Sequence, residues 1–259
     1  MFFRAYKLFL IFVACSSTVL SFPVINSDYS NFPMLKGKEK PKIIFFTGGN
    51  SLMPYEIYSR FVDKLRVEND VRIVKNSVSV NAGLLSPISF FGNFDKGTTE
   101  NNDIFNQLLE IIDYGSYTGE IIALGHSSGC STLVNYCSRF KNINKCILID
   151  PVNNNGDSLK KPEFNNTLII KADKSYKWKF EGMNPIPKKA PFIPAFEMKE
   201  ELFENPEVIT MEGYGHCDIL DPLWSNVMHN SIAEGADDRD SIDKYKDTLV
   251  EEINNFIMN

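Results

Sequence analysis

Several scarcities narrow the possibilities first. Five cysteines in 259 residues are too few to build a fold from disulfides. No uninterrupted apolar run reaches the roughly 18 residues a transmembrane helix needs. There is no basic block either. Acidic residues outnumber basic ones 33 to 27, giving a net charge of −6, and a surface of that sign repels a phosphate backbone. A nucleic-acid partner is therefore not expected. Histidine occurs only at positions 126, 216 and 229, so any imidazole chemistry has three addresses. What the chain does have is apolar material: 43% hydrophobic residues are too many for a disordered chain and ample for the core of one large domain.

Residues 1–21 have the order of a secretory signal peptide. Arg4 and Lys7 precede the apolar stretch Leu8–Ala14, and Val19-Leu20-Ser21 predicts cleavage before Phe22. The expected destination is the secretory pathway. A Phe directly after the leader is also similar to the bipartite signal of secondarily acquired plastids, which is the alternative. Cys15 would leave with the leader. Cys130, Cys137, Cys146 and Cys217 remain, an even number open to pairing, although small buried thiols are the simpler reading. Asn165-Asn166-Thr167 is a glycosylation sequon for a chain in that pathway. The rest, 22–259, reads as one domain with no internal repeat.

Within that domain short apolar runs alternate with amphipathic ones. Strands are predicted at Lys42–Phe46, Val71–Val74, Glu120–Leu124, Lys145–Ile149, Thr167–Lys171 and Val208–Met211. Helices are predicted at Pro54–Val67, Asn102–Tyr114, Cys130–Phe140 and Ser241–Met258. Fully apolar strands separated by helices imply an α/β fold, a mostly parallel central sheet with helices on both faces.

Gly125-His126-Ser127-Ser128-Gly129 matches G-x-S-x-G in the context that gives the pattern meaning, an apolar strand before it and a helix after it. The turn is sharp enough to expose the serine above the sheet, and the flanking glycines leave room for neighbouring backbone. A serine hydroxyl is a weak nucleophile and needs a base. His126 adjoins Ser127 and should point elsewhere. His229 lies in a polar stretch and reads as a surface residue. His216, in a Gly-x-Gly-His loop after the last strand, is the candidate base. The acid is left between Asp150 and Asp173, each at a strand end; Asp218 and Asp221 read as loop or surface carboxylates. Oxyanion donors are expected from the backbone N–H groups of Ser128 and of Gly49, in the Thr47-Gly48-Gly49 loop.

With these residues in place, the chain resembles the α/β-hydrolase superfamily from Lys42 onward and, within it, the chlorophyllase family. Three segments carry the second resemblance: Gly125–Gly129; Ile149-Asp150-Pro151-Val152; and Gly213-Tyr214-Gly215-His216-Cys217-Asp218-Ile219-Leu220-Asp221. Ser128 stands where that family usually has Arg, and Thr47 where it usually has His. The resemblance selects Asp150 as the acid. It also implies cleavage of the phytyl ester of chlorophyll, with no metal and no organic cofactor. The partner is then a small apolar ester, reached by peripheral contact with a membrane that holds lipid or pigment. Such a substrate needs an apolar cleft. Trp178, Phe180, Phe192 and Phe196 among the prolines of a flap at 174–206, facing Phe90, Phe91 and Phe94, are candidate walls.

Overall fold

A computed structural model describes residues 40–51, 53–75, 102–113, 117, 119–153, 159, 161–175, 198–231, 234–238 and 240–259. The expected signal peptide, the Phe90–Phe94 loop and the four aromatics of the flap lie outside the described residues.

Six strands form one sheet: β1 (Lys42–Phe46), β2 (Asp70–Val74), β3 (Ile121–His126), β4 (Ile143–Ile149), β5 (Asn166–Ala172) and β6 (Glu207–Met211). Their spatial order is β2-β1-β3-β4-β5-β6, and every neighbouring pair is parallel. Parallel neighbours need crossovers; among the described residues helices supply the first three, and two more helices follow β6. The helices are α1 (Gly48–Ser51), α2 (Ser59–Leu65), α3 (Asn102–Asp113), α4 (Gly129–Cys137), α5 (Pro222–Ser231) and α6 (Asp240–Met258).

Alternation along each strand divides the core in two. Ile43, Phe45, Ile122, Leu124, Ile147 and Ile149 face α2 and α6, where they meet Phe61, Leu65, Leu249 and Ile253. Ile44, Phe46, Ala123, Cys146 and Leu148 face α3 and α4, meeting Ile104, Leu108, Leu133 and Val134. Both faces of the central strands are thus covered, which is why those strands are mostly apolar. This doubly covered parallel sheet, with a sharp strand–turn–helix after β3, is the α/β-hydrolase arrangement the sequence predicts. No helix among the described residues is long and apolar enough to cross a membrane.

Two local features differ from expectation. The helix predicted from Pro54 is a 3-10 turn over Tyr55–Tyr58 and becomes α-helical only at Ser59. Asp221 explains the break: its carboxylate accepts from Ser59 Oγ (2.5 Å) and from Arg60 N–H (3.0 Å), while its own N–H donates to Ile57 O. A side chain distant in sequence therefore caps the helix at Ser59. The polar stretch around His229 is helix α5, and His229 is half-buried on it. The cysteines follow the simpler expectation: Cys130, Cys137, Cys146 and Cys217 are all buried free thiols. Burial pushes the Cys146 thiol up to about 12 and raises the other three as well, so they are inert core residues.

Candidate active site

The strand register brings the predicted residues to one edge. His126 is the last residue of β3 and Ile149 the last of β4, and the two are direct neighbours. Ser127 and Asp150 therefore leave adjacent strands at the same level, at the carboxyl ends where α/β sheets bind ligands. Both leave with left-handed backbone: φ is +56° at Ser127 and +43° at Asp150. Only four described non-glycine residues have positive φ, and these are two of them. Such conformations cost on the order of 1–3 kcal/mol each and persist only where surrounding contacts hold them.

Those contacts are main-chain hydrogen bonds. Ser127 N–H donates to Ile149 O (3.0 Å), and Val152 N–H donates back to Ser127 O (3.1 Å). Asp150 N–H donates to Ile170 O at 2.7 Å. The elbow and the acid's loop are thus joined directly on both sides of Asp150. Helix α4 starts immediately after Ser128 and packs against the loop that follows β1. A Cβ on Gly129 would sit 2.3 Å from Thr47 O, so only glycine permits this approach. The same contact brings the Thr47-Gly48-Gly49 loop beside the elbow, where the predicted oxyanion donors Gly49 and Ser128 belong. Gly49 has φ +63° and Ser128 is buried at the start of α4.

Of the two carboxylates left open by spacing, the structure brings Asp150 to the imidazole. Asp150 Oδ2 lies 3.7 Å from His216 Nδ1, and both side chains are about 5% exposed. The carboxylate also accepts from Ala172 N–H on Oδ1 and Ser175 Oγ on Oδ2, each at 2.8 Å. The separation from His216 exceeds a hydrogen bond, as is common before substrate binds. Asp173 is used elsewhere: it accepts from Gly213 N–H at 2.8 Å and shapes the turn after β6.

The loop carrying His216 is held by buried side chains. Asp218, 1% exposed, accepts from Gly215 N–H (2.8 Å), Ala236 N–H (2.7 Å) and Ser225 Oγ (3.0 Å). Lys246 of α6, fully buried, donates to Asp218 O at 3.1 Å. Gly215 itself packs so closely on Glu234 O that a Cβ would lie 1.9 Å away. His126 is buried, but it is not idle. It lies between Tyr58 and the His216 loop. Sequence reasoning missed Tyr58, Ser175 and Lys246. Tyr58 sits in a stretch read only as helix, and the other two carry no motif. No cluster of His, Cys, Asp and Glu that could hold a metal occurs among the described residues.

Chemically, the edge offers a half-buried hydroxyl at the turn, an imidazole near a buried carboxylate, and a backbone-rich loop facing the start of a helix, whose dipole favours developing negative charge.

No known family profile matches the chain, and no curated protein matches it in sequence. Among solved structures, Est1E from Butyrivibrio proteoclasticus superposes with TM-score 0.49 at 10% identity, covering 88% of this chain and 92% of its own. Carboxyl esterase 2 from the mycorrhizal fungus Tuber melanosporum does so with TM-score 0.46 at 14% identity, over 83% and 78%. An alpha-beta serine hydrolase homologue from Coxiella burnetii gives TM-score 0.42 at 13% identity, over 84% and 87%. Likeness of this degree assigns no role to any residue, so the roles of Ser127, Asp150 and His216 rest on the geometry of the sheet edge.

Proposed function

We propose that this chain is a serine carboxylic ester hydrolase working through an acyl-enzyme, with Ser127 as nucleophile, His216 as base and Asp150 as the carboxylate behind it. The observation that carries this reading is the pair of strained strand ends, Ser127 and Asp150, held side by side with His216 Nδ1 3.7 Å from the carboxylate. Ser127 Oγ attacks the ester carbonyl carbon while His216 takes its proton. The oxyanion is stabilised by the N–H groups of Ser128 and Gly49. Collapse breaks the bond to the alcohol, which leaves with the proton from His216. Water then attacks the acyl carbon, His216 takes a proton from it, and the acid departs as Ser127 regains its own. Asp150 fixes the imidazole tautomer and stabilises the imidazolium formed in each half-reaction.

The narrower reading is a chlorophyllase-type activity that releases phytol and chlorophyllide. It rests on the three sequence segments at Ser127, Asp150 and His216, together with the aromatic content of the flap. Peripheral contact with a pigment-bearing membrane, after targeting by the leader, belongs to the same proposal. Ser128 and Thr47, which replace that family's usual Arg and His, favour a second reading, a lipase or carboxylesterase acting on other lipid esters.

One experiment separates the outcomes. Purified protein is incubated with chlorophyll a and, separately, with short nitrophenyl esters, with Ser127→Ala as control. Chlorophyllide formation that Ser127→Ala abolishes supports the narrow reading. Turnover of the nitrophenyl esters alone supports the general one. Neither activity, with no fluorophosphonate adduct on Ser127, contradicts both and leaves a hydrolase fold used for binding.

A further inference from the structure

Three hydrogen bonds run in series beneath the site and end on the main chain of the candidate base. Gly48 N–H donates to Tyr58 Oη at 3.0 Å, Tyr58 Oη lies 2.9 Å from His126 Nδ1, and His126 Nε2 lies 3.0 Å from the carbonyl oxygen of His216. All three rings are buried: Tyr58 is 0%, His126 2% and His216 4% exposed. The tautomer follows from the partners. A carbonyl oxygen can only accept, so Nε2 of His126 must carry a proton. Burial and the neighbouring His216 hold the His126 pKa well below its ordinary value, so the ring is neutral and Nδ1 must accept. The donor to Nδ1 is the Tyr58 hydroxyl, whose own oxygen is free to accept from Gly48. Met53 Sδ, 3.6 Å from the hydroxyl, is a much weaker acceptor for that proton.

We propose that Tyr58 and His126 are positioning residues that tie the oxyanion loop at Gly48 to the backbone of His216, with His126 locked as the neutral Nε2–H tautomer. This rests on the esterase reading and deepens it. Two consequences matter for turnover. Gly48 immediately precedes Gly49, so fixing the Gly48 amide fixes the loop that must meet the oxyanion before charge develops, where preorganised donors act most strongly. The second is electrostatic. The His126 and His216 rings stack with centroids 4.7 Å apart and planes inclined at 35°. His216 becomes an imidazolium twice per cycle, and a second charged imidazole at that distance would oppose it. A His126 kept neutral by its partners leaves His216 free to take the proton. The position before the nucleophile thus serves the base rather than the substrate.

The test compares Tyr58→Phe, His126→Leu and His126→Gln with wild type. Turnover is expressed per active site titrated with a fluorophosphonate, so loss of folded protein does not count as loss of rate. Tyr58→Phe and His126→Leu are each expected to lower kcat per titrated site at least tenfold, with KM changed less than threefold. His126→Gln can still donate to His216 O and accept from Tyr58, so it is expected to recover to within about fivefold of wild type. The double variant Tyr58→Phe/His126→Leu should be no slower than the slower single variant. Equal kcat per site in wild type and Tyr58→Phe, or equal behaviour of His126→Leu and His126→Gln, would overturn the proposal. A readout independent of activity comes from nitrogen-15 histidine spectra of the full chain. The expected signature is one imidazole in the Nε2–H form whose Nδ1 signal moves toward that of an unbonded nitrogen in Tyr58→Phe. His126 found with its proton on Nδ1 in wild type refutes the tautomer claim even if no ester is turned over. Wild-type protein that takes up no fluorophosphonate counts against the esterase reading alone.

Discussion

The two halves of the site are held by different physics. Ser127 and Asp150 are placed by the sheet: they end adjacent strands, and main-chain bonds between their loops maintain the strained φ values. His216 is placed by buried side chains. Asp218 gathers two backbone amides and a hydroxyl, Lys246 reaches across from α6, and His126 holds the His216 carbonyl. A strand end is robust because each residue's partners are dictated by register. A loop organised by buried ionisable groups depends on a few side chains, each costly to leave unpaired. The nucleophile half should therefore respond to mutation in rate, and the base half in stability and pH dependence as well.

The comparison is broken most sharply at the carboxylates. Asp150→Asn is expected to lower kcat on nitrophenyl esters by about 10⁴-fold through the wrong tautomer at His216, with the fold retained. Asp173→Asn, which among the described residues alters the contact with the Gly213 turn, should stay within about threefold of wild type. Comparable activity in Asp150→Asn and wild type would remove the acid from the account.

Asp218→Ala tests the other half. It leaves the amides of Gly215 and Ala236 and the Ser225 hydroxyl without their acceptor in a buried site. Urea unfolding should show a loss on the order of 4 kcal/mol. A loss below about 1 kcal/mol would mean that the loop is held by something else.

Lys246 sharpens the same point through pH. Burial pushes its ammonium down from 10.5 to about 8. Between those values the unfolded chain binds the proton and the folded chain does not, so this group's contribution to stability increases as pH rises through the window. The gain is on the order of 3 kcal/mol when complete. Urea midpoints at pH 7.5 and pH 10 should show that gain in wild type, set against other titrations, and lack it in Lys246→Met. An identical pH dependence in the two proteins contradicts the assignment.

The smallest effect is expected on the surface. Arg60 and Asp243 pair at 3.0 Å with both side chains about half exposed. Arg60→Gln should change stability by less than about 1 kcal/mol, and less still in high salt.

How much of this could be read from the sequence follows the same division. All six strands were legible, the inner ones because strands covered on both faces are mostly apolar and the edge strands β2 and β6 from short Val and Ile runs, and so was the Ser127 elbow, because strand, turn and helix are contiguous. The choice between Asp150 and Asp173 was not legible from spacing. Both end strands, and only the path of the loop after β6 brings an imidazole to one of them; the resemblance at Ile149–Val152 was needed to select it. Tyr58 was hidden in an apolar helical pattern, since nothing local distinguishes a ring that packs from a ring that also carries a hydroxyl to His126. Helix α5 was missed because half of its residues are polar and only Ser225 among its described side chains is fully buried. The 3-10 start of the segment before α2 depends on Asp221, more than 160 residues away along the chain.

The most direct measurement is mass spectrometry of the folded chain after treatment with a fluorophosphonate. A single adduct on the peptide containing Ser127, formed rapidly in wild type and strongly slowed in His216→Ala, is the predicted result. An adduct on another serine, or labelling of Ser127 at the same rate without His216, would contradict a nucleophile activated at this sheet edge.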